Sequence, residues 1–170
     1  MRSADNYVRD TLGKDLIAAE VGVLGGEHAL EMLQLPLKKL YLIDPWNYYT
    51  INEKEAYTKD MLEGHYKKVL GIKEQYPIVE VLRMGSLEAV EFLKEISFDY
   101  VYIDANHERP YVDNDISSWW KLVKNGGVLG GHDYHMSHVY AAVNEFLGVL
   151  LPNTRIIFMH GNYDWIIHKI

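Results

Sequence analysis

Ile17–Leu30 reads IAAEVGVLGGEHAL, an apolar run that ends in Glu20 and passes through Gly22, Gly25 and Gly26 into residues that open a helix. Glycines at such a turn let the backbone bend sharply and come close to a ligand, where a Cβ would obstruct it. A strand that feeds a glycine-rich turn and then a helix is how open α/β sheets hold a nucleotide-like molecule. The same glycines also serve a tight turn with no ligand, and taken alone the two readings weigh about the same. Asp44 tips the balance. It ends a second apolar run, Leu40–Ile43, roughly 20 residues on, where a carboxylate accepts hydrogen bonds from ribose hydroxyls.

Apolar runs of strand length recur at Leu16–Val21, Leu40–Ile43, Ile78–Leu82, Tyr100–Ile103 and Val128–Leu129, separated by segments of helical period. Continuous apolar runs, as opposed to alternating ones, are the mark of buried parallel strands, so the chain predicts a doubly wound sheet. Helices are expected over Gly26–Leu35, stopped by Pro36, and over Asn52–Tyr76, closed by Pro77. Others are expected from an N-cap at Ser86 through Glu95, over Asp113–Val123 before the turn signal Asn125-Gly126-Gly127, and over Val139–Leu150. The end of the chain departs from this alternation. Thr154–Met159 and Trp165–His168 are joined only by His160–Asp164, too few residues for a crossover, so these two strands pair as an antiparallel hairpin.

The chain has 170 residues, 48% of them apolar, which suits one domain over 1–170. A net charge of -7 argues against nucleic acid, whose binding relies on Lys and Arg. With no cysteine, disulfides and thiolate chemistry are excluded, and a cytoplasmic location is expected. No apolar run approaches the length of about 20 residues that spans a bilayer, and MRSADNYVRD carries no signal-peptide core, so no membrane is expected.

The long stretch FDYVYIDANHERPYVDNDISSWWKLVKNGGVLGGHDY, Phe98–Tyr134, resembles the fourth strand, following helix and fifth strand of class I S-adenosylmethionine-dependent methyltransferases. Within them it is closest to small-molecule O-methyltransferases of the macrolide-sugar and catechol type (Methyltransferase family 24-like). The glycine turn fits with one departure: Glu20, Gly22 and Gly26 match the acidic residue and outer glycines, and Leu24 stands at the middle glycine. The resemblance implies a Rossmann-like doubly wound sheet, mostly parallel with a C-terminal antiparallel strand. It implies S-adenosylmethionine bound by Glu20, Gly22 and Gly26, with Glu20 at the methionine portion, Asp44 at the ribose, and Gly85 and Ser86 beside the adenine.

Asp104, His107, His132 and Asp133 fall just past the ends of the fourth and fifth strands, on the rim of the cofactor turn. Asp104 and Asp133 are hard oxygen donors suited to Mg²⁺ or Mn²⁺. The resemblance implies metal ligands at Asp104, His132 and Asp133, although an imidazole at His132 departs from an oxygen-only set and suits Mn²⁺, Zn²⁺ or Fe²⁺ better than Mg²⁺. The residues also read as solvated polar groups with no metal. His107 is a candidate general base beside Asp104, or simply its hydrogen-bond partner. His135 and His138 read as solvated loop residues, Trp119 and Trp120 as core packing, and Trp46, Tyr48 and Tyr49 either as a cover for adenine or acceptor or as an oligomer contact.

The expected function is methyl transfer from S-adenosylmethionine to a hydroxyl of a small molecule of sugar or phenol type, assisted by a divalent cation. The alternatives are a metal-independent methyltransferase with His107 or His132 as base, a non-catalytic cofactor-binding domain and a nicotinamide-binding Rossmann domain. The non-catalytic alternative rests on an expectation that no N-terminal helices cover the acceptor site. Whether a homo-oligomer completes that site is left open.

Overall fold

The apolar runs form a seven-stranded sheet whose order places the first strand at the centre. In the computed structural model, residues 1–47, 50–51, 54–55, 57–150, 154–158 and 163–170 are described. The strands are β1 (Leu16–Val21), β2 (Leu37–Ile43), β3 (Thr50–Ile51), β4 (Lys54–Glu55), β5 (Val79–Leu82), β6 (Phe98–Ile103), β7 (Val123–Gly131), β8 (Thr154–Phe158) and β9 (Trp165–Lys169). The helices are α1 (Ser3–Thr11), α2 (Glu27–Met32), α3 (Lys59–Gln75), α4 (Ser86–Phe92), α5 (Tyr111–Leu122) and α6 (Ser137–Val149). The large sheet runs β5-β2-β1-β6-β7-β9-β8, and β3 pairs with β4 in a separate ribbon. Pairings from β5 through β7 are parallel. Strand β9 joins β7 antiparallel and pairs with β8, also antiparallel, as the short link after Thr154–Phe158 predicts. Most of the expected turn, His160–Asp164, lies outside the described residues.

Side chains alternate across this sheet. Ala18, Leu40, Leu42, Tyr100, Tyr102 and Val128 pack with Val8, Met32 and Val69 of α1, α2 and α3. Ala19, Val21, Ile43, Val101, Ile103 and Leu129 pack on the other face with Ala89, Ile116, Trp119 and Val143 of α4, α5 and α6. Every residue of β6 is buried, which explains why its sequence is a continuous apolar run with one carboxylate. Glu20 points to the first of these faces, the side of α1 and α2, because it is two residues from Ala18.

Three expectations are corrected. The helix predicted from Asn52 begins at Lys59: Thr58 caps it, its hydroxyl accepting from Met61 N at 3.3 Å, and part of the preceding segment forms β3 and β4. Asn125-Gly126-Gly127 does not form a loop after a helix. It lies inside β7 as an irregularity where the register against β6 jumps from Phe98↔Val123 to Tyr100↔Val128. Gly126 there has φ 78°, and a Cβ on Gly127 would come within 3.0 Å of three carbonyl oxygens. Finally, residues 3–11 form a helix, α1, with Ala4, Asp5 and Val8 buried. The helix is short and mostly polar, with only Ala4 and Val8 apolar among its buried positions, so no apolar run announces it.

Candidate active site

At the carboxyl ends of β1, β2 and β6 the sheet opens into a cavity of about 700 Å³. Neighbouring strands β1 and β6 lead away in opposite directions through the sheet, so this is the topological switch point, where open α/β sheets bind ligands. The expected residues Glu20, Gly22, Asp44, Gly85, Ser86, Asp104 and His107 all line it.

Gly22 has φ 87°, and a Cβ there would sit 2.3 Å from the carbonyl oxygen of Asp104. Its need for glycine is set by β6, not by a ligand. Gly26, also left-handed at φ 84°, does not line the cavity: it is the N-cap of α2, and a Cβ would strike Ile72 at 2.6 Å. Leu24, at the middle glycine position, takes a left-handed backbone too, with φ 48°. Such a leucine costs about 1–2 kcal/mol and must be held from outside. Asp44 Oδ2 accepts from Val23 N and Leu24 N, both at 3.0 Å, and the Trp46 indole donates to the Leu24 carbonyl at 2.8 Å. Asp44 Oδ1 also accepts from Trp46 N at 2.7 Å. Among the described residues, three backbone N–H groups thus occupy most of the four acceptor positions of this carboxylate, leaving one on Oδ1. Trp46 is buried against Tyr66 and works as a brace, neither a ligand cover nor an oligomer contact; Tyr48 and Tyr49 lie outside the described residues.

Glu20 is 1% exposed, and its Oε1 lies 3.1 Å from His28 Nδ1. The other nitrogen of His28 is 3.0 Å from Asp5 Oδ2 on α1. Burial pushes the imidazole down, but hydrogen bonds to Asp5 and Glu20 outweigh it and lift it to about 9, so His28 is a cation between two buried carboxylates. Burial raises Glu20, opposed by His28. Glu20 Oε2 has no hydrogen-bond partner among the described residues. Tyr100 donates to Asp5, and Asp164, just before β9, accepts from Ala4 N at 2.9 Å and Tyr102 Oη at 2.8 Å, which pins α1 over this face. From its N-cap, Arg2 reaches back into the cavity: Nη1 donates to Tyr102 Oη at 2.6 Å and Asp104 Oδ2 at 2.9 Å. The N-cap residue of α1 therefore forms part of the cavity wall, and no residue of Ser3–Thr11 does.

On the opposite wall, Ser86 follows the N-cap residue Gly85 and makes no cap bond, so the expected cap role is corrected. Its hydroxyl donates to Asp115 Oδ1 at 2.5 Å and accepts from the Trp119 indole at 2.9 Å. Burial lifts the Asp115 carboxyl to about 6, with the Ser86 bond opposing. Trp119 is fully buried, as expected.

Beyond β6 and β7, ligand atoms of Asp104, His107 and Asp133 lie within 4.8 Å of one another. His107 Nε2 is 2.8 Å from Asp133 Oδ2 and 3.6 Å from Asp104 Oδ1, with neither oxygen aligned as a hydrogen-bond acceptor. Asp104 and then Asp133 raise the imidazole to about 9 against burial. Asp133 is held well below the usual carboxylate range by His107 and His132. Burial pushes Asp104 up, yet His107, Arg2 and His132 more than offset it, and the net shift is down. His132 falls outside the three-residue set; its Nδ1 faces the same Asp133 Oδ2 at 3.2 Å. His138 pairs with Glu108 at 2.9 Å, and the His135 ring lies 4.1 Å from that of Tyr163. Neither histidine lines the cavity.

Sequence reasoning missed Arg2, Asp5, His28 and Asp115. One signal pointed to His28: a carboxylate inside an apolar strand requires a partner, and His28 is the first cationic side chain after Glu20.

A family model described as a methyltransferase domain matches residues 19–134, from β1 through the end of β7. A search of curated proteins finds no match. Among solved structures, a putative methyltransferase from Streptococcus mutans bound to SAH (S-adenosylhomocysteine) superposes with TM-score 0.69 at 16% identity, over 98% of this chain and 96% of that one. A putative rRNA methylase from Clostridium thermocellum gives 0.71 at 12%, over 98% and 93%. An O-methyltransferase from Bacillus cereus, also in complex with SAH, gives 0.68 at 16%, over 96% and 76%. Their likeness is one of fold. The family model covers well over half of the sequence, and the chain belongs to the methyltransferase-domain family, within the class I S-adenosylmethionine-dependent methyltransferases.

Proposed function

We propose that the protein, as one domain, transfers a methyl group from S-adenosylmethionine to a hydroxyl of a small molecule of sugar or phenol type. One observation carries the reading: the cavity lined by the glycine turn and Glu20 is also lined by Asp104 and His107, so donor and acceptor sites adjoin. Glu20 Oε2, buried and without a partner, suits the ammonium of the methionine end. The remaining acceptor position of Asp44 suits a ribose hydroxyl, and the presence of Gly85 and Ser86 on the same cavity wall supports an adenine beside them. Bound SAH in two structural neighbours supports the same donor. The acidic charge favours a small acceptor over RNA, although rRNA methylases share the fold.

The donor set fits a divalent cation: two carboxylates and the Nε2 of His107, buried and without an aligned acceptor, converge beside the cavity. Asp104, His107 and Asp133 would hold it, with His132 supporting Asp133. A cation there would lower the pKa of an acceptor hydroxyl. The residues themselves position the acceptor oxygen against the sulfonium methyl and balance the charge that develops on it, from which most of the rate derives.

The Arg2–Asp104 pair favours a second reading. Arg2 and a protonated His107 already neutralise the two carboxylates, so the site is balanced with no metal. His107 is then a base only where it loses its proton, near pH 9. Methyl transfer from labelled S-adenosylmethionine to a panel of catechol-, sugar- and rRNA-type acceptors tests both readings. Loss of turnover in EDTA with recovery in Mg²⁺ or Mn²⁺ supports the cation; chelator-resistant turnover that climbs toward pH 9 supports His107. Turnover on rRNA alone would overturn the small-molecule acceptor.

A further inference from the structure

The cavity contains two opposite charges near each other that the fold does not pair directly. Glu20 Oε2 has no partner, and on Arg2 only Nη1 makes hydrogen bonds among the described residues. Nε and Nη2 of Arg2, three N–H groups, remain unused. Both side chains line the cavity, and Arg2 bonds Tyr102, the residue that lies opposite Glu20 on the neighbouring strand β6, though the direct partner of Glu20 is His28. Tyr102 and Asp104 hold the guanidinium through Nη1, and its Cζ lies 5.1 Å from the Tyr102 ring centroid, so the group is already ordered at the cavity wall.

A zwitterion needs this arrangement. An amino acid end presents an ammonium and a carboxylate on one carbon, and a site that binds it must offer an anion and a cation a few ångströms apart. Given that the cavity binds S-adenosylmethionine, as proposed above, we infer that Arg2 binds the carboxylate of its methionine end while Glu20 takes the ammonium. The N-terminal helix is then part of the donor site. Its docking through Asp5–His28–Glu20 and Ala4–Asp164 couples the position of Arg2 to the carboxylate that reads the ammonium.

A thermodynamic cycle isolates this contact. S-adenosylmethionine and its decarboxylated form, which keeps the ammonium and lacks the carboxylate, are titrated calorimetrically into the wild type, Arg2→Gln and Arg2→Lys. The wild type should prefer the carboxylated ligand by about 10-fold or more, the scale of a charge-assisted hydrogen bond. Arg2→Gln should abolish the preference, and Arg2→Lys should keep part of it, because a point charge replaces the guanidinium fork. A general loss of folding or helix docking would weaken both ligands equally and leave the preference unchanged; that result, in either variant, overturns the inference. A wild type that binds neither ligand would instead refute the donor reading itself.

Discussion

The proposed donor side and the proposed acceptor side of the cavity are built differently. On the donor side each polar group is held by the fold: Asp44 by three backbone N–H groups, Glu20 by His28, the glycine turn by Trp46. On the acceptor side Asp104, His107, Asp133 and His132 hold mainly one another, and all four are partly exposed. The first is a rigid frame whose failure unfolds it; the second is a set of charges that can exchange partners. A donor common to many reactions suits a rigid frame, and a variable acceptor suits the other.

The largest expected loss is on the donor side. His28→Leu leaves the Glu20 and Asp5 carboxylates buried without their shared cation and should cost about 3–5 kcal/mol in urea unfolding. A loss below about 1 kcal/mol, the scale of an exposed pair, would erase the contrast. His28 also sets a pH dependence. Its folded value of about 9 lies above 6.5, so its contribution, roughly 3 kcal/mol, is complete below pH 6.5 and is lost as pH rises through about 9. Unfolding curves from pH 6 to 10 should show this decline in the wild type, and His28→Leu should flatten it. His107 titrates in the same window but is more exposed, so a decline persisting in full in that variant would assign the effect to the acceptor side.

Gly22→Ala comes next, because the new Cβ would meet the Asp104 carbonyl where the two sides touch. It should destabilise by roughly 2–4 kcal/mol and impair both SAH binding and turnover. Gly64→Ala is the smallest effect and the control. Gly64 lies inside α3 with nothing within 4 Å of a Cβ, so the change should stabilise by about 0.5–1 kcal/mol and leave binding alone.

This division also explains what could be read in advance. The strands, their parallel order and the terminal antiparallel pair follow from continuous apolar runs and short links, which are local properties. Glu20, Gly22 and Asp44 were legible because each sits at a strand end beside a turn. The bonds made by Asp44 and Ser86 were not, since they depend on which backbone and side chains arrive from elsewhere: Val23 and Leu24 for one, Asp115 and Trp119 for the other. The acceptor residues were recognisable by type. Their pairing, with His107 in place of His132 among the clustered ligand atoms, depends on how the loops after β6 and β7 fold over each other. Arg2 and Asp5 were invisible because the helix beside them is short and mostly polar, and a charged residue in such a segment reads as solvated.

On the proposed reading, one cavity holds the donor on the Glu20 side and performs the chemistry on the Asp104 side. Calorimetric titration of SAH and NAD into the wild type and Asp104→Asn tests it most directly. SAH should bind the wild type and NAD should not, and Asp104→Asn, which keeps an acceptor oxygen for Arg2, should lose no more SAH affinity than the roughly 10-fold that the Arg2 contact supplies while turnover falls about 100-fold or more. Binding of NAD in place of SAH, or loss of SAH affinity in step with turnover, would contradict the account.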